Sequence, residues 1–297
     1  MNHDRLAKRI KSPLLRKEPL KLHTTWKVGG PADLFISLKY QEDLPEILDY
    51  SGQNQIPLFV FGSGSNLLVK DGGLKGIALQ MGADFAGHSI RGRILRAKAG
   101  ANLSRLASVT AEKGLSGLEF AAGIPGSAGG ALLMNAGAYG GRIADIFHRA
   151  LAITPAGEEE LLKPADIEFG YRHTRLMERD TIIIWVELVL TPGDPSLIRE
   201  AVRKNMALRR ERHPFEPSAG SVFKNPPQGP AGHFIEKAGL KGLEIGGARV
   251  SEKHANFIVN TGHARAEEIL ALMAKVQEEV YQKFGIALKP EVRVIGY

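Results

Sequence analysis

Between Gly123 and Gly141 the chain places seven glycines in nineteen residues, as GIPGSAGG and then NAGAYGG. Glycine loses more backbone freedom on folding than any other residue, so a packed core segment does not tolerate that density. A backbone that must come close to a flat ligand does. The stretch Gly123–Gly141 therefore reads as a glycine-dense loop at a binding site.

A second glycine cluster, Gly62-Ser63-Gly64-Ser65-Asn66, follows the strand-like run Pro57–Phe61. Glycines at positive φ let successive backbone N–H groups converge on an anion, and a diphosphate is the natural guest. The cluster is not a dinucleotide fingerprint: that needs a third glycine and an immediate helix, whereas Leu67-Leu68-Val69 continues as strand. On its own it reads more simply as a hairpin turn. Two such loops in one chain point to a large ligand with a phosphate part and a ring part.

The charge agrees with an anionic guest. The formal net charge is +7, which suits nucleic acid, a membrane surface or a phosphorylated small molecule. Aromatics make up 7% of the chain and are not interleaved with basic residues, which argues against a nucleic-acid surface. With no cysteine, disulfides, thiolate metal sites, a cysteine nucleophile and a cysteinyl flavin link are excluded. His233, His254 and His263 lack the spacing of a metal site. The basic start, MNHDRLAKRIKSPLLRKEPL, has no apolar core of the kind a secretory signal carries, and the longest apolar run, Ile182–Val186, is strand-sized. A cytoplasmic protein, monomeric and not inserted in a membrane, is the expectation.

A length of 297 residues implies two or three domains. Apolar spacing predicts strands at Ala32–Leu38, Pro57–Phe61, Leu67–Val69, Ile77–Gln80, Ile94–Ala99, Ala150–Thr154 and Thr181–Thr191. It predicts helices over Asp4–Ile10, through Leu44, Ile47 and Leu48, and over Leu103–Lys113. After the break Pro192-Gly193-Asp194-Pro195 come a basic helix, Ser196–Arg212, a strand at Ser221–Lys224, a helix at His233–Ala238 and a strand at Asn256–Asn260. A long helix, Ala266–Phe284, and a strand, Glu291–Ile295, close the chain.

Several separate motifs together resemble the MurB family of flavin-dependent reductases. GSGSNLLV and GIPGSAGGALLMNAGAYG are similar to the loops with which it holds the FAD diphosphate and isoalloxazine, HTTWKVGGPA is similar to its entry segment, and residues 22–191 look like a flavin-binding portion of the vanillyl-alcohol-oxidase (PCMH) type. The resemblance implies an α+β protein with a two-part FAD-binding region, residues 1–71 and 72–195, cradling FAD between its parts. A connector at 196–204 and a smaller α+β substrate-binding domain at 205–297 follow. FAD would be held by Gly62, Ser63, Gly64, Ser65, Asn66, Leu67, Gly123, Ile124, Pro125, Gly126, Ala128, Gly129, Asn135, Gly137 and Ala138.

Three further segments, FGYR around Arg172, AGSVFKNP around Ser221 and LKPEVR around Glu291, resemble the family's catalytic signatures. Alone, each residue has a plainer reading: a solvated arginine, a turn serine and an exposed glutamate. There is no GxSxG elbow around Ser221, so a hydrolase nucleophile is not supported. The family reduces an enolpyruvyl ether on a UDP-sugar with NADPH. Charge collects at the α-carbon and its carboxylate after hydride reaches the β-carbon. By the resemblance, Arg172 and Glu291 stabilise that charge, Ser221 donates the proton, and Tyr171, Lys224 and Asn225 contact substrate. Alternation along a strand would turn Lys224 to the face opposite Ser221. The basic residues Arg203, Lys204, Arg209, Arg210 and Arg212 either meet a diphosphate or form a solvated face. No tyrosine occurs between Tyr171 and Tyr281, so the chain is similar to the second type of the family, which lacks a tyrosine-bearing loop. The alternatives are another FAD-dependent oxidase or dehydrogenase on this scaffold, or a non-catalytic nucleotide- or RNA-binding protein.

Overall fold

The computed structural model describes residues 4–297 and divides into two compact units. Of the described residues, the first comprises 4–16, 34–63 and 76–209, and the second 17–33, 64–75 and 210–297. Met1–His3 of the basic lead-in lie outside the described residues.

The core of the first unit gathers buried aliphatic residues from two sheets and the helices against them. A five-stranded antiparallel sheet runs in the order Glu159–Leu162, Phe147–Ile153, Ile182–Val189, Ile94–Lys98, His88–Arg91. A second sheet has the order Leu14–Pro19, Pro31–Ser37, Leu74–Gln80, Leu58–Phe61, its last pair parallel. In Leu74–Gln80 the consecutive residues Ile77, Ala78 and Leu79 are all buried, as in a strand covered on both faces. The helix Leu103–Glu112 buries Leu103, Leu106, Ala107 and Thr110, the face its spacing predicts, and Asn102 caps it by accepting from Arg105 N at 2.9 Å.

The segment Gly123–Gly141 departs from a plain loop, since it contains the helix Ala128–Leu133. Helical glycines cost about 1 kcal/mol each relative to alanine. Burial of Ala128, Ala131 and Leu132 offsets that, and Ser127 caps the first turn by accepting from Gly130 N at 3.3 Å. Gly129 is required for contact: a Cβ there would lie 2.9 Å from Ala99 Cβ.

The second unit is built around the helix Ala266–Phe284, which buries Ile269, Leu272, Met273, Val276 and Val280. Asp71 stands at its start, accepting from Ala266 N at 2.9 Å and Glu267 N at 3.0 Å, a carboxylate where the helix dipole favours one. A small antiparallel sheet orders Glu244–Ile245, Ala248–Val250 and Ile258–Asn260. Leu67–Val69 pairs in parallel with Arg293–Ile295. Trp26, fully buried, donates from its indole to the Ile258 carbonyl at 2.8 Å, so the TTWKVGGP stretch serves the core of this unit.

One strand expectation fails here and two shorten. Ser221–Lys224 forms no strand; its one ladder contact is the bridge between Phe223 and Pro290. Val222 and Phe223 are both buried, so alternation, and with it the opposite-face placement of Lys224, does not apply. The run at Asn256 becomes strand only at Ile258, because the Asn256 main chain is engaged elsewhere, its N–H donating to His254 Nδ1 and its carbonyl accepting from Val222 N. The final strand likewise begins at Arg293 rather than Glu291.

Candidate active site

Within the first unit, three of the motifs meet. Gly62 packs on Ser127, so closely that a Cβ at Gly62 would lie 2.1 Å from Ser127 Oγ. That contact joins the start of the GSGSN segment to the helix start in the second glycine cluster. Ala128 N and Gly129 N donate to the carbonyls of Ala101 and Ala99, at 2.9 Å each, and hold the cluster against the neighbouring chain. Gly123, at φ +76, donates its N–H to Ser104 Oγ at 2.8 Å. Pro125 is exposed and Ile124, Gly126, Gly137 and Ala138 are half-buried, so this backbone is presented rather than enclosed.

The FGYR segment is a hairpin, Phe169–Gly170 against His173–Thr174, with Tyr171 and Arg172 as its two turn residues. Two side chains tie it to the glycine cluster. Asn135 Nδ2 donates to Gly170 O at 2.8 Å, and Thr174 Oγ1 donates to Leu133 O at 2.8 Å. Asn135 Oδ1 also accepts from Ala144 N at 3.0 Å, so the buried side chain of this expected cofactor residue fastens backbone. Arg172 sits at φ +52 and Tyr139 at φ +50, a region costly for side chains other than glycine. Strain of this kind collects at functional sites. The Arg172 guanidinium lies over the Tyr171 ring at 5.4 Å, and the ring itself is exposed.

The basic helix, Pro195–Arg212, leaves Arg203, Lys204, Arg210 and Arg212 exposed, while Arg209 is half-buried. Its side chain lies against Gly123, with Arg209 Cδ 2.8 Å from where a Cβ would stand. Burial draws the Arg209 guanidinium below its ordinary pKa, partly countered by a hydrogen bond with Tyr139. Nothing in the sequence separated Arg209 from its basic neighbours.

In the second unit, the Ser221 and Glu291 segments lie side by side. Glu291 N donates to the Val222 carbonyl at 2.8 Å, and Lys224 N donates to Lys289 O at 2.9 Å. Asn66 reaches the same place: its Nδ2 donates to Glu291 O at 3.1 Å, and its carbonyl accepts from Arg293 N at 3.0 Å. Gly64, at φ +63, packs on His23, where a Cβ would lie 2.2 Å from the His23 carbonyl oxygen. Ser65 is half-buried, and Leu67 is buried. Ser221, Lys224 and Glu291 are half-buried. Asn225 Oδ1 accepts from Ala231 N at 3.0 Å, at the start of the helix Ala231–Lys237.

Residues 32–162 match the family model of an FAD binding domain, and residues 212–295 match that of the UDP-N-acetylenolpyruvoylglucosamine reductase C-terminal domain. UDP-N-acetylenolpyruvoylglucosamine reductase 2 of Symbiobacterium thermophilum is 43% identical over 99% of this chain and 96% of its own length. The chain belongs to the UDP-N-acetylenolpyruvoylglucosamine reductase, or MurB, family. The Heliobacterium modesticaldum reductase is 45% identical over 95% of this chain and 90% of its own. A crystal structure of MurB from Thermus caldophilus superposes with a TM-score of 0.84 at 35% identity, covering 96% of this chain and 99% of that one. The expected fold class, an FAD-binding region followed by a smaller α+β domain, is therefore the one found.

The MurB C-terminal domain match lies wholly inside the second unit, where Ser221 and Glu291 are. Reading the sequence missed Asn256, whose amide grips the Ser221 segment, and Ser127, on which Gly62 rests. A polar residue inside the apolar run HANFIV was the available signal for the first. Among the described residues, no helix is long and apolar enough to cross a membrane, and no group of three or more metal-type side chains is placed to hold an ion.

Proposed function

We propose that this chain reduces UDP-N-acetylenolpyruvoylglucosamine to UDP-N-acetylmuramate with NADPH, as a cytoplasmic, monomeric FAD enzyme of peptidoglycan synthesis. The observation that carries the reading is the direct bond between the Ser221 and Glu291 segments in the domain that matches the family's C-terminal model. The absence of a tyrosine between Tyr171 and Tyr281 supports the family's second type.

The residues fit FAD. Gly62 and Gly64 pack where any side chain would collide, and Ser63, Ser65 and Asn66 stay half-buried, so the segment presents small side chains and backbone. These residues with Leu67 would hold the diphosphate, and Gly123–Gly126, Ala128, Gly129, Asn135, Gly137 and Ala138 the ring part. Bound FAD supplies the two-electron store that takes hydride from NADPH and returns it to substrate.

The chain's own part concerns charge and the proton. As the β-carbon gains hydride, the C=C pair moves to the α-carbon and spreads into the carboxylate. Arg172 meets that carboxylate in a fork and offsets the charge, and Glu291 serves the same charge-bearing state. Ser221 Oγ gives its proton to the α-carbon and regains one from solvent. Tyr171, Lys224 and Asn225 contact the sugar nucleotide. The test is anaerobic reduction of the flavin by NADPH, then addition of the enolpyruvyl UDP-sugar. Prompt reoxidation is expected, and a flavin that stays reduced would refute the reading.

A further inference from the structure

The stretch that carries Ser221 has no ladder to hold it. Gly220 precedes it at φ +76, with open space where a Cβ would be. One bridge, Phe223 to Pro290, follows it. What grips the chain on leaving Ser221 is Asn256, itself 3% exposed. Asn256 Oδ1 accepts from Phe223 N at 3.0 Å, and Asn256 Nδ2 donates to Phe223 O at 2.8 Å. The Asn256 carbonyl also accepts from Val222 N at 2.8 Å. Three consecutive peptide units from Ser221 to Lys224 are thus held, and the first of them, the Ser221–Val222 plane, is fixed from the Asn256 side. The Val222 carbonyl, one atom further on, is the acceptor for Glu291 N.

We infer that Asn256 is a positioning residue for Ser221, setting where its hydroxyl stands relative to Glu291; this rests on the reduction proposed above. The side chain does what a neighbouring strand would do, but from a single residue 33 positions away. It acts through the backbone and touches no reactant. Alanine removes both side-chain bonds. Aspartate keeps the shape and the acceptor for Phe223 N, but sets a charged oxygen against the Phe223 carbonyl.

The experiment uses flavin-loaded full-length Asn256→Ala and Asn256→Asp, with each half-reaction followed by stopped-flow flavin absorbance in H2O and D2O. Flavin reduction by NADPH stays at the wild-type rate, because it needs no proton from Ser221. Reoxidation at saturating enolpyruvyl sugar slows about 10²-fold, the scale of a roughly 1 Å misplacement of a reacting group. Substrate affinity is retained, and the solvent isotope effect on reoxidation rises as proton delivery becomes limiting. A purely structural asparagine would leave the isotope effect where it was. Wild-type reoxidation with a wild-type isotope effect in a folded variant overturns the role, as does a loss confined to substrate affinity. Failure of both variants to fold makes Asn256 structural and overturns it too. Wild-type enzyme that the enolpyruvyl sugar does not reoxidise sinks the reaction and the positioning role together; a competent wild type with an indifferent Asn256→Ala sinks the role alone.

Discussion

Gly62→Ala tests whether the two glycine segments are held by direct contact. The added Cβ would lie 2.1 Å from Ser127 Oγ and 3.1 Å from Ser127 Cβ. Ser127 is 2% exposed, and its hydroxyl caps the helix Ala128–Leu133, so rotating it away sacrifices the cap. Losing such a cap costs about 0.5–2 kcal/mol. Forcing an extra methyl into a packed site costs about 1–3 kcal/mol. The stiffer unfolded chain returns only about 0.4–1 kcal/mol. The balance is a destabilisation of roughly 2–3 kcal/mol, or a fall in Tm of roughly 3–5 °C for a chain of this size. Ser127→Ala removes the clashing oxygen but keeps the tolerable Cβ contact, so the double variant should lose less than the two single losses added together. Thermal unfolding of the four proteins gives the coupling, and flavin titration shows whether separating the segments weakens FAD. A Gly62→Ala protein that melts and binds flavin like wild type would refute the contact, and strictly additive losses would refute its assignment to Ser127.

Arg172→Gly should keep or raise Tm, since glycine relieves about 1 kcal/mol of left-handed backbone strain, while abolishing reoxidation by the enolpyruvyl sugar. Arg172→Lys should also fail in that step for want of a fork, and wild-type turnover by either would remove Arg172 from the site. Ser221→Ala should leave NADPH reduction intact and slow reoxidation about 10²–10⁴-fold; equal slowing of both half-reactions in stopped-flow absorbance would make Ser221 structural. Glu187 is buried, which raises its pKa, but bonds from Arg149 and Arg96 more than reverse this and leave the carboxyl below its ordinary value. A depressed carboxyl stabilises the fold above its unfolded pKa and loses that as pH falls through the folded value. Glu187→Gln should therefore cost about 1–3 kcal/mol near neutrality, and its Tm deficit should shrink as pH drops below about 4; a deficit independent of pH would refute the charge-based account.

Where local burial decided an element, the sequence was a sufficient guide. Leu67–Val69 and Ala266–Phe284 stand as expected, the helix because its apolar residues recur at its own period and Gly285 closes it at φ +67. It misled where distant partners decided. Glycine density concealed the helix Ala128–Leu133, whose stability comes from burial and from Ser127. Apolar residues at 221–224 imitated a strand that long-range bonds to Asn256 and residues 289–291 replace. The site divides the same way. Arg172, Ser221 and Glu291 could be nominated because the resemblance supplied a chemistry that calls for those side chains. The fastening by Asn135 and Asn256 was not legible, because each uses its amide on backbone of another segment, nor was that by Ser127, whose hydroxyl caps its own helix and meets Gly62. An amide that fastens backbone cannot be told in a sequence from one that faces water. A chain could therefore keep every reacting residue, match the family over its whole length, and still be a poor catalyst if only these fasteners were replaced.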